Sequence, residues 1–112
     1  MARNRMVKAD FWVSEQIVSC SRDARLLFIG LWCFCDDAGV HPASYLRLRM
    51  EVFPANDCTV DDIKHWIGEL IQFGLVHEYT IDEDLYWIVT GWKKHQTVES
   101  QARKIDRSAF SL

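Results

Sequence analysis

The sequence predicts a single α+β domain, mostly α. A length of 112 residues suits one hydrophobic core. A composition that is 49% hydrophobic, with five Trp, six Phe and three Tyr, describes a packed chain and not a disordered one. Stretches of helical apolar periodicity are followed by two short runs rich in β-branched and aromatic residues, which supply the β part.

Phe11-Trp12-Val13 leads into Ser14-Glu15-Gln16-Ile17-Val18, which reads as a Ser-capped helical turn packed by an aromatic pair. Ser21 is the expected N-cap of a central helix running to about Asp36. Asp23 lies in its first turn, where negative charge complements the helix dipole. Leu26 to Phe34 is apolar nearly all round, so this helix is expected to be buried on most sides. Gly39 suits the left-handed stop after it, and Val40-His41 reads as a very short strand.

Pro42 opens a second helix, with Ala43 or Ser44 near its cap, which runs through Leu46, Leu48, Met50 and Val52 until Pro54. Thr59-Val60-Asp61-Asp62 is a capping box with Asp in place of Glu. Behind it Ile63, Trp66, Ile67, Leu70 and Ile71 form one apolar stripe on a helix ending at Phe73, with Gly74 as its C-terminal glycine. Leu75–Ile81 and Leu85–Thr90 read as strands joined by the acidic turn Asp82-Glu83-Asp84. The predicted order is helix, short strand, helix, helix, hairpin, which is the winged helix-turn-helix arrangement: three main helices, a two-stranded wing and an extra strand near Val40.

Residues 1–96 form this domain, with 1–10 as a basic N-terminal arm. Beyond Trp92 the pattern dissolves, and 97–112 read as a basic C-terminal arm or linker. The net charge of -3 conceals its distribution. Arg3, Arg5 and Lys8 make residues 1–8 net +3; Lys93, Lys94, Arg103, Lys104 and Arg107 against Glu99 and Asp106 make 92–112 net +3; the body between is -9.

The longest nearly apolar stretch, Leu26–Cys35, falls short of the roughly 20 residues that span a bilayer, and no signal-peptide core follows the charged N-terminus. A cytoplasmic protein without a membrane partner is expected. Cys20, Cys33, Cys35 and Cys58 contain no Cys-x-x-Cys pair, and Cys33 and Cys35 point apart on a helix, so free and mostly buried thiols are expected. His41, His65, His77 and His95 lie on four different elements without metal-ligand spacing, at solvent or core-edge positions. No phosphate-cradling glycine motif occurs, and the clusters Asp61-Asp62 and Asp82-Glu83-Asp84 lie at a helix start and a turn, where capping and solubility explain them. No catalytic residue, metal, cofactor or small-molecule substrate is expected, and the chain does not read as an enzyme.

Several linked motifs then carry a resemblance. Arg3-x-Arg5-x-x-Lys8-x-x-Phe11-Trp12-x-Ser14-Glu15, Ser21-Arg22-Asp23-Ala24-Arg25-Leu26-Leu27-Phe28-Ile29-Gly30-Leu31-Trp32, Asp36-Asp37-x-Gly39, Val52-Phe53-Pro54, Gly74-Leu75-Val76 and Gly91-Trp92-x-Lys94-His95-Gln96 follow in one order. Together they resemble the N-terminal domain of phage replication proteins related to DnaD-like replisome organisers, over about residues 3–96. The resemblance implies a winged helix at the front of a longer protein, followed by a linker and a domain that engages DNA or a helicase loader. A chain ending at Leu112 departs from that plan. The alternative it opens is a small phage effector that binds a host replication or defence protein.

Two partner classes follow. DNA would be gripped through its backbone, with weak sequence preference, by Arg3, Arg5, Lys8, Arg47, Arg49, Lys93, Lys94, Arg103, Lys104 and Arg107. A replication protein, or a second copy, would be met by Lys64, His65, Glu69, Tyr79, Trp87 and Trp92, since aromatic residues are enriched at interfaces. The outward face of the third main helix, Asp61, Asp62, Lys64, His65, Gly68, Glu69 and Gln72, is net -2, which suits a protein partner better than a phosphate backbone.

Overall fold

The computed structural model describes residues 4–55, 57–92 and 96. A 3-10 turn, Ala9–Val13, and a one-turn helix α1, Glu15–Val18, lead into α2, Arg22–Phe34. The 3-10 turn is an addition to the predicted elements. It places Phe11 against Phe28, with ring centroids 6.2 Å apart, and edge-on to Trp32 at 5.3 Å. Ser14 makes no side-chain cap; its carbonyl alone receives the Val18 N–H at 2.9 Å. Ser21 caps α2 as its position predicts, accepting from the Ala24 N–H at 3.3 Å.

The remaining elements are β1 (Val40–Pro42), α3 (Tyr45–Val52), α4 (Val60–Gln72), β2 (Val76–Ile81) and β3 (Asp84–Val89). The architecture is therefore α+β, with four α-helices and one antiparallel sheet among the described residues. Ser44 caps α3, accepting from the Arg47 N–H at 3.2 Å. The α4 capping box closes in both directions: Thr59 Oγ1 accepts from the Asp62 N–H at 3.1 Å, and Asp62 Oδ2 accepts from the Thr59 N–H at 2.9 Å.

The short strand near Val40 joins the hairpin, so the sheet has the order β1-β3-β2. The turn is tighter than the three acidic residues suggest. Asp84 pairs with Ile81, leaving Asp82 at φ 50° and Glu83 at φ 70° as a two-residue connection. Two residues of positive φ match the right-handed twist of the strands they join.

The core lies between α2, α4 and the inner face of the sheet. Leu27, Phe28, Leu31, Leu48, Ile63, Ile67, Leu70, Val76 and Trp87 are fully buried. Gly30 lets α2 and α3 approach: a Cβ there would stand 2.6 Å from Val52 Cγ1. Gly39, at φ +80°, turns the chain out of α2 directly beneath the Trp92 ring. No helix among the described residues is long and apolar enough to cross a membrane.

Candidate functional site

The stripe Ile63, Ile67 and Leu70 sinks into the core and fixes the other side of α4 outward. Asp61, Lys64, His65, Gly68, Glu69 and Gln72 line a shallow groove there of about 550 Å³. The His65 side chain is 77% exposed, and its Nε2 stands 3.8 Å from Glu69 Oε2. Glu69 has a second role: its carboxylate receives the Ser21 N–H at 2.7 Å and the Ser21 hydroxyl at 2.8 Å. An anion thus sits at the N-terminus of α2, where the helix dipole favours it. Of the interface candidates on α4, Lys64 and His65 are exposed, while Glu69 is half-buried and couples this face to α2.

The hairpin corrects two expectations. Trp87 is 0% and Trp92 is 5% exposed, so neither forms a contact surface. Trp87 faces the core, stacks on His41 with a 14° interplanar angle and donates from Nε1 to Glu78 Oε2 at 2.9 Å. Trp92 covers Gly39 and donates from Nε1 to the Asp37 carbonyl at 2.8 Å. Large rings bury most area in the core, and their N–H groups find acceptors there. Tyr79 is half-buried on the opposite sheet face, its ring 5.9 Å from that of Tyr86. Burial pushes the Tyr79 phenol up from its ordinary value, with Asp36 and Tyr86 adding to the shift.

The cations read as nucleic-acid contacts divide. Arg5 is turned inward, its side chain 8% exposed. Its guanidinium donates from Nε to the Trp32 carbonyl at 2.8 Å and from Nη2 to the Cys35 carbonyl at 3.0 Å, and pairs with Asp37 at 3.6 Å. That is a cap on the C-terminal carbonyls of α2, where positive charge is stabilised by the dipole, and it leaves little of the fork for a phosphate. Arg47 pairs with Glu51 at 3.2 Å, and Arg49 Nη1 donates to the Cys58 carbonyl at 3.5 Å. Lys8 is exposed at the rim of a cleft of about 620 Å³ floored by Phe11, Trp32 and Leu75. Arg3, Lys93, Lys94, Arg103, Lys104 and Arg107 lie outside the described residues. Of the described cations in this set, Arg5 is bound to the end of α2, Arg47 to Glu51, and Arg49 to the Cys58 carbonyl just before α4.

Two buried polar groups escaped the sequence reading. His41, expected at solvent or the core edge, is fully buried. Its Nε2 lies 2.7 Å from Glu51 Oε1 and its Nδ1 2.6 Å from the Pro42 carbonyl, which pins β1 to α3. Gln96 is buried and clasps the backbone of Met6, accepting from its N–H at 2.8 Å and donating to its carbonyl at 2.7 Å. Alternation along Val40-His41-Pro42 could have signalled the first; a contact across 90 positions leaves no local signal.

All four cysteines are free thiols, Cys20 and Cys35 buried and Cys33 and Cys58 half-buried. Burial pushes the Cys35 thiol up to about 12, against a smaller lowering by Arg5. It is a packed hydrophobe and not a thiolate nucleophile at neutral pH. Among the described residues no group of His, Cys, Asp or Glu has the arrangement of a metal site.

Compared with protein-family models, curated proteins and solved structures, the chain finds no match in any of the three.

Proposed function

We propose that this chain is a protein-recognition domain of winged-helix type, used in a phage-type replication context, and that its partner meets the outward face of α4 and the hairpin. The element order and the adjacent helices α3 and α4 support the winged-helix reading. The observation that carries the partner class is electrostatic. The helix that would enter a DNA groove presents Asp61, with Lys64 as its one exposed lysine and Asp62 half-buried in the capping box, and the hairpin tip presents Asp82, Glu83 and Asp84 as exposed acids, where phosphates would be repelled. A basic protein surface is the natural complement.

DNA binding through the chain ends is the second reading, favoured by the net +3 of residues 1–8 and of 92–112. Titration of single- and double-stranded DNA across a salt series, with the intact chain and a form lacking 97–112, separates the two. The protein-recognition reading expects no binding beyond a weak, salt-labile association, in either form. Tight binding by the intact chain overturns it, and loss of that binding in the shortened form assigns the contact to the chain end.

A further inference from the structure

We propose that the open edge of β2 takes up an extended, basic segment of the partner as an added antiparallel strand. This rests on the protein-recognition reading above and assigns it a surface that none of the interface candidates on α4 includes.

The hydrogen-bond phase of the sheet identifies the free groups. The Val89 N–H donates to Gly39 and the Leu85 carbonyl accepts from Ala43, so alternate residues of β3 face the β1 side. The residues between them face β2 and pair with His77, Tyr79 and Ile81. The backbone N–H and C=O groups of Val76, Glu78 and Thr80 therefore point away from β3; Val76 is fully buried, so the open part of the edge is Glu78 and Thr80, both exposed. The order β1-β3-β2 puts no strand beyond them among the described residues. Unpaired edges are commonly blunted by Lys, Pro or a bulge, and Val76-His77-Glu78-Tyr79-Thr80-Ile81 pairs residue for residue with β3 and contains neither Lys nor Pro.

The side chains specify the occupant. Glu78 and the tip residues Asp82, Glu83 and Asp84 are exposed acids along this edge and its turn, and no Lys or Arg accompanies them there. On the sheet face opposite Glu78, Tyr79 lies beside Tyr86. A strand with Lys or Arg on the Glu78 side and an apolar residue on the Tyr79 side would satisfy the backbone groups, the charges and the rings together. Nucleic acid and acidic strands are disfavoured by the same four carboxylates.

The test uses the full chain, isotopically labelled, with an end-blocked peptide of alternating lysine and valine as probe and a glutamate–valine peptide as control. Amide hydrogen exchange should slow about tenfold or more at Glu78 and Thr80 with the lysine peptide alone. Thr80→Pro removes an outward N–H without breaking a bond to β3, so it should abolish the slowing while the unfolding midpoint shows that the fold persists. Asp82→Asn with Asp84→Asn should weaken binding several-fold. The proposal is overturned by unchanged exchange at the two amides, by equal binding of the glutamate peptide, or by protection that grows with protein concentration alone, which would make a second copy the occupant. Peptide-induced shifts confined to Lys64, His65 and Gly68 would overturn the edge assignment while leaving protein recognition standing.

Discussion

Arg5 places its guanidinium over the Trp92 ring, 5.0 Å from the centroid, and thereby ties the start of the described chain to the residue that follows the hairpin. The same group caps the α2 carbonyls and pairs with Asp37. Removing it strands those carbonyls and uncovers Trp92. Arg5→Ala is expected to cost about 2–4 kcal/mol in urea unfolding, and Arg5→Lys roughly half as much, because an ammonium cannot reproduce the forked donation. An unchanged midpoint for both variants would place Arg5 among surface cations.

The hairpin turn holds a removable strain. Glu83 sits at φ 70°, a conformation that costs a residue with a Cβ roughly 1–2 kcal/mol. Glu83→Gly, which creates an Asp-Gly turn, should raise stability by about 1 kcal/mol, and Glu83→Val should lower it. Thermal denaturation of the pair checks the sign.

Gly30 and Val52 form a size-matched contact between α2 and α3. Gly30→Ala gains about 1 kcal/mol of helix propensity and meets a Cγ at 2.6 Å, so the expected net is a loss of about 1 kcal/mol or more. In a Val52→Ala background the same substitution should become neutral or favourable. Additive effects in the double-mutant cycle would contradict the contact.

Cys35 predicts an alkaline signature. Its thiol is held up to about 12 in the fold against an ordinary value of 9.0, so the native state retains a proton that the unfolded chain releases first. That contribution is complete below about pH 9 and is lost as pH rises toward 12. Cys35→Ala should flatten the fall of stability with pH across this window. At neutral pH, Cys20 and Cys35 should resist a thiol reagent that modifies Cys33 and Cys58.

Much of the fold was legible because its signals are local. The Thr59–Asp62 box, the Ile63–Ile71 stripe and the Ser21 cap are written within a few residues of one another, and each forms as read. The joining of Val40–Pro42 to the hairpin was not legible, since strand order depends on partners some 45 positions away. The site was less readable still. A Trp in a hairpin looks the same in sequence whether it faces the core, as Trp87 does, or a partner. An Arg near the N-terminus looks like a solvated arm until the α2 carbonyls it caps are seen.

The central claim, that the outward face of α4 meets a protein, is tested most directly by photo-crosslinking in cells that express the protein, from a benzophenone side chain in place of the exposed His65. The account predicts an adduct that survives nuclease treatment and is degraded by protease. A nuclease-sensitive adduct at this position would contradict it.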